Sequence, residues 1–82
     1  MTEEIRQIIK QHGRLPGADA LAVDADLYEA GMSSHAGIDV MLALENHFDV
    51  EFPDRMLTRS VFESIASIEA ALTELRAESH VG

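Results

Sequence analysis

The sequence predicts an all-α fold, a four-helix bundle with a long first loop and a short third helix. Three observations carry that expectation. Apolar residues recur at i, i+3 and i+4, as at Ile5, Ile8 and Ile9 and again at Ile65, Ile68 and Leu72, a spacing that collects them on one side of a helix. The composition is 46% hydrophobic but only 5% aromatic, and aliphatic faces suit helix packing where a sheet would draw on β-branched and aromatic residues. No stretch alternates apolar and polar residues as a half-buried strand does. A chain of 82 residues fills a single domain, 1–82, with no room for a second core.

The first helix is expected from about Thr2 to Gln11. Thr2 is placed to cap it, Glu3 and Glu4 lie at the positive end of its dipole, and Lys10 lies near the negative end. Gly13 and the Pro16-Gly17 pair stop it. From His12 to about Met32 runs a connection of about 20 residues, long for a compact domain and often functional when it occurs. Its Leu15, Leu21, Val23, Leu27 and Tyr28 suggest that it packs down, with a short turn over Asp26 to Ala30.

The second helix is expected from Ser34 to Phe48, with Ile38, Met41, Leu42, Leu44 and Phe48 forming a broad apolar stripe beside a polar edge. "DVEFPD" breaks the period, and Pro53-Asp54 opens a short third helix over about Asp54 to Ser60. Phe62 reads as a core anchor, and Ser64 as the N-cap of a last helix that turns Ile65, Ile68, Leu72 and Leu75 inward. The tail from about 77 to 82 is expected to fray.

Charge and residue inventory exclude several functions. Fifteen acids against six Lys and Arg give a formal net charge of −9, which argues against nucleic acid and anionic membranes as partners. Between Leu15 and Asp54 there are nine acids and no Lys or Arg. That asymmetry fits either plain solubility or a surface that steers the chain onto basic partners. There is no cysteine, hence no disulfide, no thiolate nucleophile and no Cys-ligated metal. No apolar run approaches a membrane span and "MTEEIRQIIK" is unlike a signal peptide, so the expected location is the cytoplasm. His12, His35, His47 and His80 include no i, i+4 pair, so surface roles are expected and no metal site. Ser34 and His35 are sequence neighbours whose side chains diverge by about 100° on a helix. They do not make a nucleophile–base pair, and no catalytic centre is expected.

"GMSSHAGIDVMLALENHF" nevertheless opens its helix with two serines where one would cap it. Ser33 fits the N-cap. Ser34 then becomes the first or second helical residue, exposed at the positive end of the dipole. Taken alone, it reads first as an ordinary exposed serine, routine near a helix start, and only second as the anchor of a phosphodiester, whose charge suits a helix N-terminus.

The stretch "DLYEAGMSSHAGIDVMLALENHFDVEFPD", Asp26 to Asp54, resembles the acyl carrier protein and peptidyl carrier domain family. A leucine precedes a Gly-x-x-Ser turn, and an apolar helix follows that ends in Leu-Glu-x-x-Phe. A short acidic stretch then closes on Pro-Asp. "FESIASIEAAL", Phe62 to Leu72, resembles the entry to the family's last helix. The resemblance implies a carrier that holds an acyl group as a thioester on a covalent 4′-phosphopantetheine arm, attached to Ser34, three residues after Gly31. The missing cysteine agrees, because the arm brings its own thiol. The resemblance also implies that the second helix is the docking face, with Asp39 and Glu45 on its edge and Met32, Ile38 and Met41 near its start. The protein would not itself be an enzyme.

The sequence departs from the family at Ser33 and His35, where Asp-Ser-Leu is usual, and at Gly37, which costs about 1 kcal/mol against alanine in a helix interior. His35 could bond the arm's phosphate, lie near the thioester, or simply be a surface residue. Gly37 suggests a looser first turn or one closely approached by a partner. The Ser-Ser-His-Ala start resembles the stand-alone bacterial aminoacyl carrier proteins, loaded by ATP-dependent ligases that look like truncated seryl-tRNA synthetases. The implied partners are a phosphopantetheinyl transferase, such a ligase and a downstream acyl-accepting enzyme, with the carrier a monomer. Two alternatives stand beside this reading: a carrier for fatty-acid or polyketide-type synthesis, and an unmodified acidic interaction module.

Overall fold

A computed structural model describes residues 1–79, with side chains through Ala77. Its described residues contain four α-helices and no strand: α1 (Thr2–His12), α2 (Ser34–Phe48), α3 (Arg59–Phe62) and α4 (Ile65–Ser79). The last helix therefore includes 77–79 of the expected tail, and 80–82 lie outside the described residues.

Helix α1 buries Ile5, Ile8 and Ile9 as their spacing predicts. Thr2 does not cap it. The N-cap position belongs to Met1, because Thr2 is already the first helical residue, and its hydroxyl instead donates to Glu69 of α4.

The long first connection packs down, as expected, and polar contacts hold it to α1 and to the start of α4. Arg6 of α1 donates from one guanidinium nitrogen to the carbonyls of Ala18, at 2.8 Å, and Leu21, at 2.6 Å. Ala18 lies in a 3₁₀ turn over Pro16–Ala20, and the N–H of its C-cap Leu21 donates to the Ala18 carbonyl. Farther along, the Ala66 N–H donates to the Val23 carbonyl (2.8 Å) and the Leu27 N–H to the Glu63 carbonyl (2.7 Å). Leu15, Ala18 and Leu27 are buried in the common core. A connection this long stays ordered because it satisfies its backbone and contributes apolar area.

Helix α2 is apolar on most of its circumference, so its inward side was ambiguous from sequence. The buried seam is Ala36, Gly37, Val40 and Leu44. Ile38 and Leu42, read as part of the stripe, remain 55% and 48% exposed. Asp49 ends the helix in the left-handed conformation (φ 53°).

The short third helix is displaced and divided relative to the expected Asp54 to Ser60. A 3₁₀ turn covers Asp54–Met56, Thr58 is extended (φ −129°, ψ 157°), and α3 proper begins at Arg59. Phe62 is the core anchor it was expected to be, packing edge-on against Phe52 with ring centroids 5.2 Å apart. Ser64 caps α4 as read: its Oγ accepts from the Ser67 N–H at 3.0 Å, while Ser67 Oγ accepts from the Ser64 N–H at 3.1 Å. Ile65, Ile68, Leu72 and Leu75 face the core.

Candidate functional site

Chemistry concentrates where the long connection delivers the chain to α2. Asp26 Oδ1 accepts from the N–H groups of Tyr28 (2.9 Å) and Glu29 (3.1 Å), which fixes a turn. Gly31 follows with φ +123°, a conformation that side-chain-bearing residues resist. The Met32 N–H then closes on the Leu27 carbonyl at 3.0 Å. These bonds set the direction in which Ser33 enters the helix.

Ser33 is the cap, extended at ψ 161°, with its Oγ accepting from the Ala36 N–H at 3.0 Å. Ser34 is the first residue of α2 and is exposed. The amides of Ser34 and His35 have no acceptor within the helix, and the Ser34 hydroxyl stands at the positive end of its dipole. This environment stabilises an anion attached there.

A groove of about 350 Å³ opens beside Ser34. From α2 it takes Gly37, Ile38 and Met41, and from the approach to α3 it takes Leu57, Thr58 and Arg59; Tyr28 and Phe62 complete it. Gly37 has a local reason to be glycine. A Cβ there would stand 3.0 Å from the Tyr28 hydroxyl, so the close approach comes from the chain's own tyrosine. The Arg59 guanidinium lies 4.5 Å above the Tyr28 ring and 3.9 Å from Asp26. Burial pushes the Tyr28 phenol above its usual 10.0, with Arg59 acting the other way and Asp26 and Glu63 adding to the rise.

The residues expected on the docking face separate in space. Met32 is only 2% exposed and belongs to the core, so it offers a partner nothing. The turn at Gly31 directs it inward, against the position a Gly13 side chain would occupy. Ile38 and Met41 both line the groove. Asp39 sits 3.9 Å from Arg14 and 4.0 Å from His35, whose imidazole is 81% exposed. Glu45 turns inward: its carboxylate accepts from the Phe52 N–H at 2.9 Å and holds the segment after α2. His47, away from this site, bonds Glu4 across α1 and α2 at 2.7 Å. Tyr28, Leu57, Thr58 and Arg59 were not anticipated as site residues, because only the tertiary fold brings them to Ser34.

Among the described residues no group of three or more His, Cys, Asp or Glu could hold a metal ion. No helix among them is long and apolar enough to cross a membrane.

A family model described as "Phosphopantetheine attachment site" matches residues 3–72. The chain belongs to the phosphopantetheine-bearing carrier protein family. It is 49% identical over 70 residues to an aminoacyl carrier protein of Agrobacterium fabrum, covering 84% of each chain. It is 34% identical over 55 residues to a D-alanyl carrier protein of Streptococcus mutans, covering 66% of this carrier and 70% of that one. Among solved structures, it resembles a chain in a complex of an engineered Bradyrhizobium japonicum glycine:[carrier protein] ligase with carrier protein from Agrobacterium tumefaciens and AMP. The TM-score is 0.85 and the identity 46%, with 89% of this chain and 99% of that one covered. A solution structure from A. tumefaciens matches over the full length of both chains with TM-score 0.77 and 41% identity. The carrier is thus a phosphopantetheine-dependent acyl carrier rather than an enzyme, with the helical fold of its family.

Proposed function

We propose that this carrier bears its 4′-phosphopantetheine on Ser34 and carries an aminoacyl group. The observation that carries the assignment is the placement of Ser34: an exposed hydroxyl on the first residue of α2, at the positive end of its dipole and beside an open groove. When attached, the arm supplies the thiol that holds the activated group. The protein's own part is to hold the anchor rigid through Ser33, to balance the phosphodiester's charge, and to present α2 to enzymes. The identity to an aminoacyl carrier protein and the structural match to a carrier complexed with a glycine:[carrier protein] ligase support the aminoacyl reading.

The partners on this reading are a phosphopantetheinyl transferase, an ATP-dependent amino acid ligase and a downstream acyl-accepting enzyme, met by a monomeric carrier in the cytoplasm. The docking surface is the exposed side of α2, where Ile38 and Leu42 stay in solvent and Asp39 supplies charge. Electrostatic complementarity there governs encounter rate and partner choice more than affinity.

The test is intact mass after incubation with a phosphopantetheinyl transferase and coenzyme A. Wild type and Ser33→Ala gain one phosphopantetheine and Ser34→Ala gains none. A gain surviving in Ser34→Ala overturns the assignment. Aminoacylation is then read as ATP-dependent loading of an amino acid that hydroxylamine releases, and loading with malonyl or fatty acyl groups alone overturns that part.

A further inference from the structure

The groove beside Ser34 differs in charge from the rest of the molecule. The chain has fifteen acids and six Lys and Arg. Yet among the described residues no carboxylate lines this groove, and the one Lys or Arg that does is Arg59. The guanidinium is held there by its stacking on Tyr28 at 4.5 Å. Asp26 offsets part of its charge at 3.9 Å, but that carboxylate is 35% exposed and does not line the groove. The remaining surface is largely apolar, with Gly37, Ile38, Met41, Leu57 and Phe62. At about 350 Å³ the space lies at the small end of ligand-sized pockets, which run from ~300 to ~1,000 Å³.

We propose that Arg59 makes this groove selective for uncharged acyl ends, so that an aminoacyl end is kept outside it, in solvent and within reach of a partner enzyme. The inference rests on the preceding reading, in which Ser34 carries an aminoacyl group on its arm. Arginine stays cationic at every working pH. An α-ammonium below its usual pKa of about 7.7–8.0 is cationic too. The Arg59 side chain keeps 62% of its surface in solvent, so the cost falls on the incoming ammonium, which loses water in the apolar groove and meets a like charge there. An alkyl end of the same shape meets neither cost and buries apolar area. The groove therefore reads the cargo by its α-substituent, and the excluded amine is the group an acceptor enzyme would see.

Two cargoes of matched shape test this: leucyl, and 4-methylpentanoyl, which lacks only the amine. Both are installed from their coenzyme A thioesters by a phosphopantetheinyl transferase, and the mass of every sample is checked. Amide NMR spectra are compared with those of the unloaded holo protein at about pH 6.5, below the usual α-amino pKa. The 4-methylpentanoyl form shifts the amides of Gly37, Met41 and Arg59, and the leucyl form leaves them where the holo protein has them. In Arg59→Gln the leucyl form shifts them as well, while Arg59→Lys keeps the exclusion. Equal shifts from both cargoes in wild type overturn the proposal, as do no shifts from either. Continued exclusion of leucyl in Arg59→Gln also overturns it, since Arg59 would not be the discriminator. A sample that gains no mass defeats the carrier assignment instead, which separates the two failures.

Discussion

Tyr28 is the single tyrosine of a chain without tryptophan, so its phenol can be followed by phenolate absorbance without interference. Three of its neighbours act on it in opposite senses. Burial of the ring is the largest influence and raises the pKa, the Arg59 guanidinium lowers it, and Asp26 and Glu63 raise it. The result lies above the usual 10.0. A group with a raised folded pKa favours the protonated fold. Its contribution to stability is complete below the unfolded value and is lost as pH rises through the folded one. An alkaline titration of the folded protein is expected to place the phenol midpoint above 10.0, and Arg59→Gln is expected to move it higher still. A midpoint that fell in Arg59→Gln would mean that the guanidinium does not face the ring. The same residues show a limit of reading sequence alone. Gly37 stood out as a costly residue in a helix interior, but its cause, the Tyr28 hydroxyl, lies nine positions away on another segment.

Elements were legible wherever the determinant was local. The ends of α2 and α4 follow from Ser33 and Ser64, whose caps depend on residues three positions ahead. The apolar stripe of α1 follows from its period. Errors fell where a neighbouring element decides the outcome. Thr2 bonds Glu69 on α4, Met32 is drawn into the core, and α3 begins at Arg59 because Thr58 is extended. Glu45 is the clearest case. On the helix surface it reads as an acid offered to a partner, but in the fold it accepts from the Phe52 N–H at 2.9 Å and secures the segment between α2 and α3. Glu45→Ala removes that acceptor from a part-buried donor and is expected to cost ~1–3 kcal/mol. In a domain of this size that lowers Tm by about 4–8 °C per kcal/mol. Glu45→Gln keeps a carbonyl oxygen and is expected to lose less. Thermal melts of both variants check this. Losses below ~0.5 kcal/mol for both, the usual range for surface positions, would return Glu45 to the docking face.

The whole molecule carries nine more acids than Lys and Arg in a body of 38 × 22 × 20 Å. At ~0.01 M salt the Debye length is about 30 Å, so like charges repel across most of that body; at ~0.1 M it is about 10 Å and only neighbours interact. Opposing this are exposed ion pairs such as Lys10–Asp19 at 2.8 Å, Arg55–Glu74 at 3.7 Å and Arg14–Asp39 at 3.9 Å. Pairs of that kind contribute about 0–1 kcal/mol each and are themselves screened. The excess repulsion is expected to win, because net charge far from zero works against the compact state. Raising salt from ~0.01 to ~0.1 M should therefore raise the urea midpoint at constant slope, the signature of a change in stability alone. A midpoint that falls would mean that the ion pairs outweigh the net charge. The same field acts oppositely on encounter: it draws a basic partner surface toward the acidic carrier, and salt slows that approach. Stability that rises with salt while the rate of phosphopantetheine transfer to the carrier falls is the joint outcome expected if the acidity serves recognition at a cost in stability.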